Sequence, residues 1–290
     1  MPELPEVETI VRGLRAVLPG RRVLSLRLGK TDFIDDPAAL EHELPGCRIG
    51  AVERLGKFIA VRLEKQETRP SLLIHLGMTG QLATARPGEP IPPHTHVIFA
   101  LDDGRELRYT DTRRFGRMLF AADSAGRDVL GKLGDDPLEI TFAAFRASLA
   151  RRRAMVKALL LDQHFLRGMG NIYTDEALWR ARIHPKRHAA RLTLDEARRL
   201  HASMRKVLAD AIRLRGSSIS DYLDAAGQPG GYQRRHRVYG REGKPCFRCG
   251  TKIRRVIVAG RSSYFCPHCQ RISRLEIRDS KRGTRARALR

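Results

Sequence analysis

The chain has 290 residues, of which 42% are hydrophobic, enough for one large or two ordinary domains with buried cores. Its 55 Lys and Arg residues against 32 Asp and Glu residues give a formal net charge of +23, which indicates a polyanionic partner. Nucleic acid is favoured over a membrane because aromatic residues are few and no apolar run reaches bilayer length. No signal peptide opens the chain, so a cytoplasmic location is expected.

The first nine residues hold two prolines and three glutamates. Pro2 is small, so we expect Met1 to be removed and Pro2 to carry a free secondary amine. Such an amine attacks a carbonyl-like carbon and forms an iminium ion, and Glu3 beside it is a candidate proton donor or acceptor. The same stretch is also an ordinary helix start, with Pro5 and Glu6 in the first turn.

Apolar residues recur at helical spacing over residues 6–18 and predict one helix with a single buried stripe. Residues 22–121 then change to short alternating runs, which predict strands over 23–28, 58–63, 72–76, 96–101, 105–109 and 116–120. Asp103-Gly104 is a hairpin signal between two of these runs. Several strands at this spacing indicate an antiparallel sandwich or barrel.

After about residue 126 the pattern becomes helical, with short helices over 142–149, 155–161 and 171–179. A longer helix begins with a capping box formed by Thr193 and Glu196. Residues 168–171, Gly-Met-Gly-Asn, form either an anion site at a helix start or a tight packing turn. Residues 217–244 lack periodicity and indicate a long loop, either a functional lid or disordered. The basic tail from 278 to 290 is expected to be disordered.

Four of the five cysteines form two Cys-x2-Cys pairs: Cys246, Cys249, Cys266 and Cys269. In a reducing compartment this spacing predicts a closed tetrahedral site for one structural Zn²⁺, and two redox pairs are the less common use. The segment between the pairs predicts a β-hairpin with Gly260 and Arg261 at its tip. That arginine suits a DNA phosphate or groove, unless it is simply solvated. The fifth cysteine, Cys47, is predicted to be a buried small hydrophobe.

Two loops carry residues suited to a base stack. In residues 111–116 the aromatic Phe115 follows two arginines, so it can wedge between bases while the cations bind phosphate. Met78, in the loop after a predicted strand, is a second apolar wedge candidate. Taken alone, each of these side chains is more often a core residue. His75 alone is more often structural, and Lys57 alone is more often an ordinary surface lysine.

Together these motifs resemble the formamidopyrimidine-DNA glycosylase family. The matching stretches are residues 2–9, Lys57, 75–80, 113–116, 168–173 and the zinc hairpin, and only the basic tail lies outside them. The resemblance implies an α+β fold, with an N-terminal β-sandwich and flanking helix, a C-terminal helix–two turns–helix domain plus a four-cysteine zinc finger, and DNA in the cleft between the halves. The implied domain ranges are 1–125, 126–240 with a lesion-capping loop at about 217–239, 241–275, and the tail 276–290.

The resemblance implies a bifunctional glycosylase and lyase that excises oxidised purines from damaged double-stranded DNA. Pro2 is then the nucleophile, Glu3 the general acid and Lys57 a second catalytic group, and Arg261 joins them by gripping the lesion phosphates. The implied DNA-binding residues are His75, Met78, His96, Arg113, Arg114, Phe115, Lys157, Asn171 and Tyr173. The implied lesion lid comprises Ile219, Ser220, Asp221 and Tyr222.

The resemblance also implies one structural Zn²⁺, no small-molecule cofactor, no membrane partner, and a monomer located at the bacterial nucleoid. Thr112 departs from the proline that relatives often carry in its turn. Two alternatives stay open. One is an endonuclease VIII-like glycosylase for oxidised pyrimidines, which Leu4, the Arg113–Phe115 turn and the long lid disfavour. The other is a non-catalytic zinc DNA-binding protein, which the intact Pro2 and Glu3 disfavour.

Overall fold

The computed structural model describes residues 1–121, 131–219 and 222–272. It divides into two compact units, Met1–Leu133 with Ala211–Gln233, and Gly134–Asp210 with Arg234–Arg290. The predicted ranges had instead grouped residues 211–233 with the helical half and separated the zinc segment from it. The predicted boundary at 125 and the tail fall outside the described residues. Among the helices that are described, none combines the length and apolar character needed to cross a bilayer.

The chain opens with helix α1, Leu4–Arg15, in the first unit. Glu3 is its N-cap residue, Pro5 lies in its first turn, and Glu3 and Glu6 form a capping box. Pro5 is tolerated there because the first N–H groups of a helix have no intrahelical acceptor. The predicted apolar stripe faces inward, and its members Val7, Ile10, Val11 and Leu14 are all buried.

The described part of the first unit contains eight strands in two antiparallel four-stranded sheets. They are β1 Val23–Leu28, β2 Arg48–Leu55, β3 Phe58–Glu64, β4 Ser71–His75, β5 Gln81–Ala85, β6 Thr95–Leu101, β7 Glu106–Thr110 and β8 Arg117–Ala121. One sheet has the order β1-β6-β7-β5 and the other the order β2-β3-β4-β8. Side chains from both sheets and from α1 share one hydrophobic core. The predicted sandwich with a flanking helix is therefore confirmed.

Three elements of this unit were not predicted: β2, β5 and a short helix α2, Pro37–Glu43. In β2 the register shifts between Ile49 and Ala51, so a bulge at Gly50 breaks the alternation by which a strand is recognised. Helix α2 carries no long apolar stripe. Its start is set by Asp36, whose Oδ1 accepts a hydrogen bond from the Ala39 N–H at 2.9 Å, and by proline at the first position.

The second unit is built on helices α3 Phe142–Ala150, α4 Val156–Leu161, α5 Asn171–Ala181 and α6 Leu194–Arg213, whose last three residues belong to the first unit. The bounds of α3, α4 and α5 lie within two residues of those predicted, and α6 begins directly after the predicted Thr193. The capping box of α6 is confirmed. The Thr193 N–H donates to Glu196 Oε2 at 2.9 Å, and the Glu196 N–H donates to Thr193 Oγ1 at 3.2 Å.

A β-hairpin lies between the two cysteine pairs, as predicted, formed by β9 Arg254–Val258 and β10 Arg261–Phe265. Arg261 pairs directly with Val258, so the turn consists of Ala259 and Gly260 alone. Both turn residues have positive φ, 48° and 71°, which is the backbone that a two-residue type I′ turn requires. Arg261 is thus the first strand residue beside the tip rather than part of the turn.

Candidate active site

One edge of the β2-β3-β4-β8 sheet brings together stretches that are distant in sequence. Phe58, which follows Lys57, pairs with His75 in the ladder between β3 and β4. His75 in turn pairs with Arg117, the first residue of β8. The turn that holds Lys57, the loop that holds Met78 and the loop that ends at Gly116 are therefore neighbours at this edge. Three motifs of the sequence meet in one place.

His75 is the half-buried centre of this edge. Burial and, to a smaller extent, the charge of Lys57 lower the pKa of His75 to about 4. Its Nδ1 accepts a hydrogen bond from the Gly77 N–H at 3.1 Å, which places the ring proton on Nε2. The imidazole is therefore neutral at physiological pH. A phosphate contact by His75, as predicted, would be a hydrogen bond from Nε2–H and not an ion pair.

The two loops beside His75 are held together by the buried carboxylate of Asp111. It accepts hydrogen bonds from the Thr79 hydroxyl at 2.5 Å, the Tyr109 hydroxyl at 3.0 Å and the Gly116 N–H at 2.9 Å. The Arg113 N–H lies 3.3 Å from the same carboxylate. A buried carboxylate surrounded by donors fixes the geometry of every group that it binds. Asp111 thus sets the position of both wedge loops, a role that its place in the sequence did not suggest.

Glycine is required where these loops touch. Gly77 has φ +60°, and a Cβ there would lie 2.3 Å from the Phe115 carbonyl group. A Cβ at Gly116 would lie 1.8 Å from the Tyr109 hydroxyl oxygen. Both distances are far below van der Waals contact, so only glycine allows this approach. The loops pack backbone against backbone.

The apolar side chains that these loops carry point to solvent. Met78 is 43% exposed and Phe115 is 55% exposed. The Arg113 guanidinium carbon lies 4.4 Å from the centre of the Phe115 ring, a cation–π contact that orients both. Core packing, the alternative reading of these residues, does not apply. Exposed apolar side chains on rigid, glycine-locked loops are typical of a binding surface.

Arg114 and His96 are engaged within the first unit. The Arg114 Nε lies 2.9 Å from Asp32 Oδ1, and this hydrogen bond holds the pKa of the Asp32 carboxyl below its ordinary value. His96 is buried, and its Nε2 lies 3.2 Å from the Asp111 carbonyl oxygen. The DNA contacts predicted for Arg114 and His96 stay predictions. The geometry gives both residues a part in holding the wedge loops.

We predict that Asp111→Asn will destabilise the first unit by about 1–3 kcal/mol, because one amide hydrogen must face a buried donor. Urea denaturation measures this loss, and lesion-duplex binding is expected to weaken with it as the loops move. Asp103→Asn is the matched control, since Asp103 is an exposed residue paired with Arg21 and Arg105 and such pairs contribute about 0–1 kcal/mol. Equal stability of the two variants would contradict the role given to Asp111.

The start of α1 is buried and tied to a distant loop. Pro2 and Glu3 are both buried. The Glu6 carboxylate binds two segments at once, since Oε2 accepts the Glu3 N–H at 2.8 Å and Oε1 accepts the Ser217 N–H at 2.7 Å. At Gly216, with φ +77°, a Cβ would lie 2.6 Å from Glu6 Oε1. The sequence placed Glu6 in the first turn of a helix and gave no sign of this link to the base of the 217–239 loop.

The predicted lid residues separate into different environments. Tyr222 is buried in the core of the first unit, and its hydroxyl donates to the Glu6 carbonyl oxygen at 3.3 Å. Burial raises the pKa of Tyr222, so the hydroxyl stays protonated. Ile219, by contrast, is exposed. Ser220 and Asp221 lie outside the described residues. A base contact by the lid stays a prediction, with Tyr222 placed at its foot.

An ion pair connects α1 to the strand that leads to Lys57. The Arg54 Nε lies 2.9 Å from Glu8 Oε2, and both side chains are nearly buried. Because Arg54 is at the end of β2, this pair holds the first turns of α1 near the turn that carries Lys57. Lys57 itself is largely buried. The pair therefore links α1, which follows Pro2 and Glu3, to the strand that leads to Lys57.

In the second unit Lys157 is completely buried. Its Nζ lies 2.7 Å from Asp175 Oδ1 and donates to the Ser262 carbonyl oxygen at 2.8 Å. The other oxygen of Asp175 accepts the Tyr264 N–H at 2.9 Å. Burial raises the pKa of Asp175 to about 7, against the opposing effect of the Lys157 charge. The predicted phosphate contact of Lys157 is not favoured by this geometry, which makes Lys157 and Asp175 the anchor of the β9–β10 hairpin.

Asn171 is the first residue of α5, as the anion-site prediction requires. Its side-chain oxygen is buried and has no hydrogen-bond partner within the described ranges. The N–H groups of a helix start favour an anion, so the amide is well placed to bind one. Tyr173, two residues on, is fully buried and packs inside the unit. A DNA contact by Tyr173 stays a prediction. Arg261, on the hairpin, is exposed and therefore accessible to a phosphate.

The four cysteines of the two pairs come together, with their sulfur atoms all within 4.8 Å of one another. Four thiolates at this separation fit a tetrahedral Zn²⁺ with Zn–S bonds of about 2.3 Å and leave no open position. The Trp179 Nε1–H donates to Cys246 Sγ at 3.5 Å, and the Arg248 N–H donates to it at 3.4 Å. N–H groups aimed at sulfur are typical of a thiolate that binds a metal. The donor set therefore fits a structural zinc.

Two buried side chains attach this metal module to the helices. Gln270 accepts the Cys266 N–H at 2.8 Å and donates to the Ile183 carbonyl oxygen at 2.8 Å. The fully buried carboxylate of Glu176, on α5, accepts the N–H groups of Arg237 and Val238, each at 2.9 Å. Together with the Asp175 contact, these bonds fix the hairpin and Arg261 relative to α5.

Three family descriptions match the chain. The formamidopyrimidine-DNA glycosylase N-terminal domain matches residues 1–118, and the formamidopyrimidine-DNA glycosylase H2TH domain matches residues 133–222. The zinc finger found in FPG and IleRS matches residues 243–272. The three matches follow one another along the chain and include the sheet-edge loops, the start of α5 and the four cysteines.

Similar proteins extend over nearly the whole chain. Formamidopyrimidine-DNA glycosylase of Solibacter usitatus is 46% identical, over 93% of this chain and 100% of the relative. The crystal structure of the Thermus thermophilus protein aligns with a TM-score of 0.82 at 43% identity, over 93% of this chain and 98% of that one. A mutant Lactococcus lactis protein bound to DNA containing Fapy-dG aligns with a TM-score of 0.85 at 33% identity, over 93% and 100%.

Proposed function

The chain belongs to the formamidopyrimidine-DNA glycosylase family, and from this premise we propose that it is a repair glycosylase and lyase that removes oxidised purines from duplex DNA. The observation that carries the proposal is the assembly in the first unit. There the buried start of α1, the turn of Lys57 and two exposed wedge side chains are joined by Glu6, Glu8 and Asp111. Such an arrangement suits a reaction at a nucleotide that has left the base stack.

The first step is displacement of the damaged base. The Pro2 amine, free after removal of Met1, attacks the sugar C1′, so a C1′–N bond to Pro2 forms and the bond from C1′ to the base breaks. Glu3 donates a proton to the sugar ring oxygen as the ring opens, which leaves an iminium ion between Pro2 and C1′. The base departs and takes up the proton that the Pro2 nitrogen loses as the iminium forms. Burial of Pro2 and Glu3 keeps water from competing with the amine.

The second step is strand cleavage. The iminium withdraws electrons and makes the proton on C2′ acidic, so β-elimination breaks the bond from C3′ to its phosphate oxygen. A second, δ-elimination then removes the proton on C4′ and breaks the bond from C5′ to the other phosphate, and the protons from C2′ and C4′ pass to solvent. Lys57 is the group that we assign to these steps, because its ammonium can stabilise the departing phosphate. Water finally hydrolyses the iminium and restores the Pro2 amine.

The wedge loops account for extrusion of the base. Met78 and Phe115 are the apolar side chains that would fill the gap in the stack, and Arg113 would face the unpaired partner base. Taking a base out of a duplex costs a few kcal/mol, which these contacts offset. Asp111 and the glycine contacts already hold these loops in place. Little of the contact energy is therefore lost to ordering the loops when DNA binds.

The metal module acts on the lesion strand through its hairpin. Bound Zn²⁺ would supply folding free energy to Cys246, Cys249, Cys266 and Cys269 and their surroundings. Arg261, beside the tip, is the predicted grip on a lesion phosphate, and Asn171 at the start of α5 is the second. The buried Lys157–Asp175 pair holds the hairpin that carries Arg261.

Lesion preference separates this proposal from an endonuclease VIII-like enzyme. One solved Lactococcus lactis relative was crystallised with DNA containing an oxidised pyrimidine, so both lesion classes should be assayed. We expect single-turnover cleavage of an 8-oxoguanine duplex to be faster than that of a thymine glycol duplex by about 10-fold or more, or roughly 1.4 kcal/mol of transition-state discrimination. The reverse order would overturn the assignment to purines.

Borohydride trapping separates an enzyme from a binding protein. Reduction of the iminium is expected to leave a covalent adduct between the protein and the lesion strand, seen as a shifted band and as added mass on the N-terminal peptide. Undamaged duplex treated in the same way is the control. Normal binding of lesion DNA without any adduct would support the non-catalytic alternative.

A further inference from the structure

A strongly basic surface lies in the second unit, at the opposite end of α5 from Asn171. It is an open cavity of about 720 Å³, formed by the end of α5, the residues after it, one face of α6 and the first zinc knuckle. Its lining residues are Arg180, Arg182, Arg199, Ala202, Ser203, Lys206 and Arg248. Five of these seven carry a positive charge and none carries a negative one.

The arginines here retain donors for a ligand. Within the described ranges no carboxylate pairs with Arg180, Arg182, Arg199 or Arg248, although Lys206 lies 3.1 Å from Asp210. Both Arg199 and Arg248 donate to backbone carbonyls at the end of α5. Arg199 donates to Ala181 at 3.4 Å, and Arg248 donates to Trp179 at 3.1 Å and to Arg180 at 3.5 Å. A guanidinium has five N–H donors, so most of them stay free. Helix capping therefore accounts for two of the arginines and leaves the cavity unexplained.

The cavity is held in shape by its surroundings. The Arg248 guanidinium carbon lies 4.2 Å above the buried Trp179 ring, which fixes its plane. Arg182 ends α5 with φ +62°, a conformation unusual for a residue other than glycine, so the chain turns sharply where the cavity begins. Arg199 and Lys206 are two turns apart on one face of α6. The charges are thus preorganised on rigid elements.

This surface is at the far end of α5 from Asn171. A helix of 11 residues is about 16 Å long at 1.5 Å per residue, so a phosphate at the start of α5 cannot also reach the cavity. An anion in the cavity is therefore not the one bound at the start of α5. An acidic peptide fits less well, because the lining offers only Ala202 for an apolar side chain, whereas guanidinium forks match phosphate oxygens in pairs.

We propose that this cavity is a second DNA site, which binds the backbone phosphates of a duplex segment other than the one that carries the lesion. The proposal rests on the proposed DNA-binding function but not on the chemistry of Pro2. Contacts of this kind carry no base specificity and fall steeply with salt. They would let the protein hold one stretch of DNA while it inspects another.

The test uses the full chain with its lesion site already occupied. Protein trapped by borohydride on an 8-oxoguanine duplex is titrated with a labelled undamaged duplex of about 11 base pairs, roughly one helical turn. The test variant is Arg199→Gln with Lys206→Gln. The matched control is Arg198→Gln with Arg205→Gln, which removes the same charge from the same helix at residues that do not line the cavity.

We expect the trapped wild-type protein and the control to bind a second duplex, and the test variant to bind it at least about 5-fold more weakly. The slope of log affinity against log salt is expected to fall by about 2 in the test variant, near 0.9 per lost phosphate contact. No uptake of a second duplex by the trapped protein, or equal weakening in both variants, would overturn the proposal. The proposal would also be overturned if polyglutamate displaced the labelled duplex as effectively as unlabelled DNA does. If no trapped adduct forms, the proposed activity fails. The second DNA site is then tested by comparing the salt slopes of the test variant and the control, measured with free protein.

Discussion

Replacing Pro2 with glycine is expected to lower single-turnover cleavage of an 8-oxoguanine duplex by about 100-fold or more and to remove most of the trapped adduct. Glycine keeps an amine at the same position, so the loss comes from placement rather than from missing chemistry. Proline fixes φ near −65° and fills a buried site, whereas glycine leaves the amine free to rotate. A displacement of about 1 Å can cost 10²-fold in rate. Binding of lesion DNA is expected to stay near that of the wild type.

Pro5→Ala is the control for this change, because it alters a proline of the same buried helix start and leaves the amine intact. Alanine is well accepted in the first turn, so cleavage should remain close to wild type. Intact mass must show that Met1 is removed in all three proteins. Full cleavage by Pro2→Gly would refute the nucleophile assignment. Met1 retained on an active wild-type protein would refute it as well, because the amine would then lie on another residue.

Loss of one cysteine from the metal module is expected to have the second largest effect. In Cys249→Ser the bound zinc should fall well below one per chain. Loss of a group that is hydrogen-bonded to a metal ligand typically costs roughly 10–100-fold, and the loss of affinity for lesion DNA in Cys249→Ser should be larger. The apolar core of the module is small, with Trp179, Val238 and Ile253 beside two of the cysteines. Without zinc this core is too small to keep the hairpin and Arg261 in place.

Cys47→Ser serves as the comparison, since Cys47 is the one cysteine outside the metal module and is buried in the core of the first unit. This change is expected to lower stability modestly while zinc content and DNA binding stay unchanged. Zinc is measured by release to a chromogenic chelator, DNA binding by fluorescence anisotropy, and folding of the remainder by circular dichroism. Zinc retained by Cys249→Ser at one per chain would contradict a four-thiolate site.

Local signals in the sequence predicted those parts of the fold that depend on neighbouring residues. The capping box of Thr193 and Glu196, the stripe of α1 and the cysteine knuckles each follow from residues a few positions apart. Strand β2 was missed because its bulge at Gly50 breaks the alternation on which the prediction depends. Features of this kind are visible only when the partner strand is known.

For the candidate site, the sequence indicated residue types but not whether each side chain is buried or exposed. Met78 and Phe115 proved exposed, as a wedge requires, although an isolated apolar residue is more often buried. Lys157 and Tyr222 proved buried. The sequence did not predict this, because their partners Asp175 and Glu6 are distant in sequence and long-range pairs leave no local signal. For the same reason Asp111 gave no hint that it organises two loops. Burial of a charged side chain follows from tertiary packing, which periodicity does not encode.

The contact between Glu6 and Gly216 has an evolutionary consequence. Any side chain at position 216 would displace the carboxylate that binds both the first turn of α1 and the base of the following loop. The two positions are therefore epistatic. A substitution of Gly216 becomes tolerable only in a lineage where position 6 has already become shorter, and a lineage that has made that exchange must hold its N-terminal proline by other means. Descendants of this protein are expected to keep the pair or to change both.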